Sequence, residues 1–168
     1  MTNEGQWLEV TRHIAAPPSR VFAILSDPKQ HSRFDGSDML RGDVDSSVIM
    51  QVGDIFTIKM HRLGRDYEMI NHVVDFEPDR LIAWKPAPGD IDTAGGDPTR
   101  IGVPSGYRWG FRIEDVDGES LVTEFFDCGP SDNSWILLRE GGAWINGSNP
   151  VSDSMAATLE RLDALSTQ

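Results

Sequence analysis

From Trp7 to Ile14 the chain alternates, with Leu8, Val10 and Ile14 on one parity and Glu9, Thr11 and His13 on the other. A period of two predicts a half-buried first strand, in which Arg12 interrupts the apolar face. Pro17-Pro18 stops the strand, and Val21, Phe22, Ile24 and Leu25 follow at helical spacing behind a proline that a first helical turn accepts. Asp27-Pro28 repeats that start signal, a capping side chain before a proline, and Gly36 closes a second short helix. From about residue 38 to 128 short runs separated by turn residues predict an antiparallel meander. Within it Phe56, Ile58 and Met60 oppose Thr57, Lys59 and His61, while Ile70, His72, Val74 and Phe76 share one parity up to Pro78-Asp79. Ile82 and Trp84 fall in the next strand. Tyr107, Trp109, Phe111 and Ile113 then form a wide aromatic face backed by Arg108, Gly110, Arg112 and Glu114, and Asp117-Gly118 predicts a hairpin turn. Leu121 to Asp127 carries apolar residues on both parities, so its buried face stays open.

Asn149-Pro150 opens a final helix in which Val151, Met155, Leu159, Leu162 and Leu165 make one continuous apolar stripe. That stripe needs a surface, and the largest one available is the concave face of the sheet. The pattern therefore predicts an α+β domain of residues 1–168 in which a curved antiparallel sheet wraps a long C-terminal helix. Residues 87–106, rich in Gly, Pro and Asp, form a loop long enough to be a lid over such an interior or an excursion without a role.

Composition narrows the partners. At 168 residues the chain can bury one substantial core and needs no staple. With 15 Lys and Arg against 27 Asp and Glu, its field repels phosphate backbones and anionic lipid, which disfavours nucleic acid and membrane partners. The single cysteine, Cys128, excludes an intramolecular disulfide, and the polar stretch from Met1 to Gly5 resembles no export signal, so the expected location is cytoplasmic. Asn146-Gly147-Ser148 is then a chance match to a glycosylation pattern. Histidines, Cys128 and carboxylates show no metal-ligand spacing, no glycine motif for phosphate is present, and Gly102-Val103-Pro104-Ser105-Gly106 has glycine at neither offset of a nucleophile elbow. No metal and no cofactor are expected. A homodimer stays open as an alternative to a monomer.

Several strings resemble the Bet v 1-like or START-like (SRPBCC) superfamily, in its polyketide cyclase/dehydrase-like branch. They are Glu9-Val10-Thr11-Arg12-His13-Ile14-Ala15-Ala16-Pro17 leading to Val21-Phe22, then Leu25-Ser26-Asp27-Pro28, Val74-Asp75-Phe76-Glu77-Pro78 leading to Leu81-Ile82-Ala83-Trp84, and Leu121-Val122-Thr123-Glu124. The resemblance implies a helix-grip fold: a curved seven-stranded antiparallel sheet around a long C-terminal helix, with two short helices after strand 1. It also implies a cavity that takes lipids, polyketides or other hydrophobic molecules. Phe34, where related proteins often carry tryptophan, and the long 87–106 loop depart from the common pattern at the cavity mouth.

Three functions compete. The first is binding of a hydrophobic small molecule, a lipid, polyketide or other polycyclic, against Phe56, Ile58, Met60, Ile70, Val74, Trp84, Tyr107, Trp109, Phe111, Met155 and Leu159. The same side chains would equally fill a solid core. The second is a cyclase or dehydratase using His72, with Glu124, for proton transfer; His72 is otherwise a core histidine with satisfied polar atoms. His61 and Tyr67 fall on parities opposite to their neighbours' apolar faces, and Asp127 shares the ambiguous last strand with Glu124. The third is a protein-interaction module similar to chaperone activators, with Trp135 and Trp144 as contacts.

Overall fold

The computed structural model describes residues 7–62, 64–104, 106–127 and 151–168. Strand β1 (Trp7–Ile14) is followed by helices α1 (Pro18–Leu25) and α2 (Pro28–Phe34). Strands β2 (Leu40–Asp43), β3 (Ile55–Arg62), β4 (Arg65–Glu77), β5 (Leu81–Pro88), β6 (Arg108–Val116) and β7 (Glu119–Asp127) come next, and α3 (Val151–Ser166) ends the chain. The strands form one antiparallel sheet in the order β1-β7-β6-β5-β4-β3-β2. β1 reaches the far edge because two helices intervene before the meander begins, and it then pairs with β7, the last strand made.

Local chemistry explains the boundaries. The Asp27 carboxylate accepts from the Lys29 amide at 3.1 Å and Pro28 starts α2, as the sequence predicts. Between β6 and β7, Asp117 and Gly118 both take positive φ, the conformation of a two-residue turn that matches strand twist. Gly36 follows α2 where a Cβ would strike the Ser154 carbonyl and the Thr158 amide of α3, and its own N–H donates to Thr158 Oγ1 at 2.8 Å. A glycine is needed there because two backbones touch.

α3 crosses the concave face, and its two halves meet different surroundings. Leu159 and Leu162 are buried in a dense cluster with Val21, Leu25, Ile82 and Phe111, filled from α1 and α2. Val151 and Met155 instead join Met39 in a smaller cluster. Arg12, the charge on the inward face of β1, reaches Asp163 of α3 through Nε at 2.8 Å.

One strand departs from the expected parity. In β4 the buried side chains are Met69, Asn71 and Val73, not Ile70, His72 and Val74. The β4–β5 register shifts between Val73 and Asp75, where Val74 is the extra residue of a bulge. Phe76 does face inward, edge-on to Phe22 at 5.4 Å, but the bulge puts it on the opposite parity from the residues before it. The β3–β4 hairpin also requires this arrangement, since Phe56 pairs with Asn71, Ile58 with Met69 and Met60 with Tyr67. Directly paired residues share a face.

Candidate functional site

A cavity of about 660 Å³ opens between the sheet and the N-terminal half of α3. Phe56, Ile58 and Met60 of β3 and Trp84 of β5 form one wall, and Trp109 and Phe111 of β6 the other. Met155 covers it from α3, and Tyr107 lies at the start of β6. The aromatic groups brace one another. Trp84 sits 5.4 Å from Phe56 and 6.1 Å from Phe111, and Trp109 lies 4.2 Å from Phe126. Strands β5 and β6 pair over only four positions, Leu81↔Arg112 to Trp84↔Trp109, so beyond Trp84 the strands part, with Pro86 and Tyr107 lining the cavity there.

Polar groups share this lining, and four of them are distinctive. Glu124 of β7 keeps 8% of its surface exposed, and its Oε2 is buried without a hydrogen-bond partner among the described residues. Burial, aided by the nearby Asp35 carboxylate, holds its pKa well above the ordinary glutamate value, so the carboxyl favours its neutral form. Asp35 itself is held at the end of α2 by the Ser37, Met39 and Leu40 amides. Ser154 Oγ of α3, also on the lining, is buried without a partner. Tyr107 is pushed up to about 12 by burial and by Tyr67, and burial raises Tyr67 as well, so both phenols stay protonated.

His31 of α2 is the cavity's histidine, 2% exposed and stacked on Trp84 at 5.3 Å, with Phe56 edge-on at 5.2 Å. Its Nε2 lies 2.8 Å from the Leu25 carbonyl oxygen, which can only accept, so Nε2 carries the proton and Nδ1 of the neutral ring is the basic nitrogen. Burial lowers its pKa, with the Leu25 hydrogen bond and nearby carboxylates opposing. Nothing in the sequence marks it, because the seven residues of α2 are too few for an apolar stripe to emerge.

The sequence-derived site divides accordingly. Glu124 lines the cavity, which resolves the β7 ambiguity: Val122, Glu124 and Phe126 point in, while Phe125 lies on the outer face, stacked under Trp7 at 4.9 Å. Ile70, His72 and Val74 lie off the cavity because of the β4 parity described above, and Leu159, 1% exposed, belongs to the filled core. His72 instead donates through Nε2 to the Gly102 carbonyl at 2.8 Å, pinning the β5–β6 loop against the outer face of β4; residues 87 and 88, expected in that loop, extend β5 instead. The same loop contributes Asp92 and Thr93 to the cavity mouth, beside Arg65. His61 pairs with Asp66 at 2.7 Å. Cys128, Trp135, Trp144, the Asn146-Gly147-Ser148 pattern and the Asn149-Pro150 cap lie outside the described residues.

No family model matches the sequence. An uncharacterised Mycobacterium tuberculosis protein, Rv0088, is 30% identical over 115 residues, which are 68% of this chain and 44% of that protein. The chain thus spans less than half the length of the curated relatives it matches. Among solved structures, protein Ms6760 of Mycobacterium smegmatis superposes with a TM-score of 0.70 at 18% identity, covering 99% of this chain and 94% of its own. The polyketide cyclase-like protein Cgl2372 of Corynebacterium glutamicum gives a TM-score of 0.52 at 19% identity, covering 96% and 89%. The chain has the SRPBCC, or Bet v 1-like, fold. In this SRPBCC domain the sheet, the two short helices and the gripping helix follow the order that the local strings implied. Among the described residues, no helix is long and apolar enough to cross a membrane, and no three His, Cys, Asp or Glu side chains gather in a metal-binding group.

Proposed function

We propose that this domain binds a hydrophobic small molecule, with a ring system or folded chain of lipid, polyketide or other polycyclic type, in the cavity between the sheet and α3. The observation that carries this reading is the hollow itself. Its volume of about 660 Å³ falls in the range of small-molecule sites, and aromatic and aliphatic side chains from three strands supply much of its surface, with polar groups such as His31, Glu124 and Ser154 set among them. A chain that needed only a core would gain stability by filling such a space, as it does around Leu159. The reading calls on no cofactor, nucleic acid or membrane, and it fits a monomer or a homodimer in the cytoplasm equally well. Native mass spectrometry of protein purified from its source cells, followed by a panel of hydrophobic ligands, tests it. A retained small molecule, or stoichiometric uptake that Met155→Trp suppresses without unfolding the domain, supports the reading. Protein that emerges empty and takes up nothing from the panel refutes it.

A second reading follows from two side chains on the same cavity, His31 as a neutral base and Glu124 as a neutral acid. Such a pair suits enolisation of a bound ketone, the base taking a proton α to the carbonyl while the acid protonates its oxygen, as a cyclase or dehydratase requires. This gives the pocket-histidine role to His31. NMR of α-tetralone in D2O with the protein measures loss of its α-protons. Exchange above the buffer rate that falls in both His31→Phe and Glu124→Gln supports catalysis, and exchange at the buffer rate rules it out for this substrate class.

A further inference from the structure

Glu124 sits where a structural role does not explain it. It occupies an inward position between Val122 and Phe126, opposite Phe111 on β6 and Val10 on β1, where an aliphatic residue would pack without leaving a polar atom unpaired. Its Oε2 is buried and meets no donor or acceptor in the described residues, and Ser154 Oγ of α3 lines the same cavity in the same state. A buried polar atom without a partner is costly, and two of them on one hollow indicate that something else completes their hydrogen bonds.

We propose that Glu124 is a specificity-determining residue of the cavity, accepting ligands with an uncharged oxygen, a hydroxyl or ketone, and excluding those that carry a carboxylate. This rests on the cavity-binding reading above. A carboxyl group in its neutral form offers both an O–H donor and a carbonyl acceptor, so it can hold an alcohol, phenol or ketone. A carboxylate ligand beside it could share that proton, but would bring an uncompensated negative charge into a desolvated space, which costs more than one hydrogen bond returns. The other charged and titratable groups on the lining do not reverse that preference near Glu124. His31 is neutral, Tyr67 and Tyr107 are protonated, and nearby Asp35 pushes Glu124 further toward its neutral form. Arg62, Arg65 and Asp92, from the β3–β4 hairpin and the 87–106 loop, also line the cavity; of these Arg65 is engaged with Asp90 and Thr93.

Three fluorescent probes with one ring system test this: 1-methylpyrene, 1-pyrenemethanol and 1-pyrenecarboxylate, titrated against the intact protein at pH 7. The expected order is pyrenemethanol about tenfold tighter than methylpyrene, the worth of one buried hydrogen bond, and the carboxylate weakest. Glu124→Gln, neutral with a donor and an acceptor, keeps the alcohol preference, and Glu124→Leu abolishes it while still binding methylpyrene. If methylpyrene binds but the alcohol gains nothing, or the carboxylate binds as well, the assignment of Glu124 is wrong and the cavity reading stands. If no pyrene binds, both are overturned.

Discussion

Replacing Glu124 by glutamine removes one proton-linked free energy from folding, and the structure fixes its sign. Burial raises the folded-state pKa of this carboxyl well above the value of 4.5 that the unfolded chain retains. Between those two values the folded protein holds a proton that the unfolded chain has released. Stability contributed by the group is therefore complete below 4.5 and is lost as pH rises toward the folded value, at about 1.4 kcal/mol per pH unit. Glutamine keeps the shape and cannot ionise, so the variant lacks this slope. The stability gap between variant and wild type should widen in the variant's favour by about 1 kcal/mol from pH 4.5 to 5.5, and go on widening until Glu124 ionises in the native state. For urea slopes of about 1 to 3 kcal/mol/M the first unit alone moves the relative midpoint by about 0.3 to 1 M.

His31 makes the difference measurement necessary. Its pKa is lowered on folding, so the unfolded chain holds a proton that the buried ring has released, and its stability contribution is lost as pH falls below 6.5. In the mildly acidic range the two slopes oppose each other, and the wild-type profile is flatter than either group alone would make it. Above 6.5 the His31 slope is gone. Urea unfolding followed by far-ultraviolet circular dichroism at half-unit steps, on both proteins, separates the terms because other groups largely cancel in the difference. A gap that stays constant with pH refutes the neutral buried carboxyl.

Three further outcomes follow. In Gly110→Ala the new methyl would strike Phe125 Cζ and approach Ala83 Cβ to 2.7 Å, so urea unfolding should show a loss of about 1 to 3 kcal/mol, and no loss would mean the outer face of β6 is less filled than it looks. His31→Phe keeps a ring on Trp84 but strands the Leu25 carbonyl; it should cost about 1 to 3 kcal/mol at pH 7 and remove the fall in stability below pH 6.5, both read from the same titration. Arg12→Ala breaks a half-exposed pair with Asp163, and thermal or urea unfolding should register less than about 1 kcal/mol, shrinking further in high salt.

How legible all this was depended on whether one or both faces of an element are covered. β3 read correctly because Phe56 and Ile58 face the interior while Lys59 and Ile55 meet solvent, so alternation in sequence is alternation in environment. β7 could not be read, since Phe126 lines the cavity under Trp109 while Phe125 is buried on the other side beneath Trp7. β4 read wrongly because a period of two survives only until a bulge. Ile70, His72, Val74 and Phe76 share one parity in sequence, but the bulge at Val74 separates Phe76 from the rest, and counting outward from the β3–β4 turn, where Arg62 faces Arg65, pairs Phe56 with Asn71 and sends His72 outward. The sequence therefore held the correction, in turn length rather than in hydrophobicity.

The cavity was harder to read for a deeper reason. A hydrophobic stripe records which side chains leave water, and a packed core and a lined hollow satisfy it equally. Met155 and Leu159 make the point: they continue one apolar stripe on α3, yet Met155 lines the hollow while Leu159 is packed into the filled core.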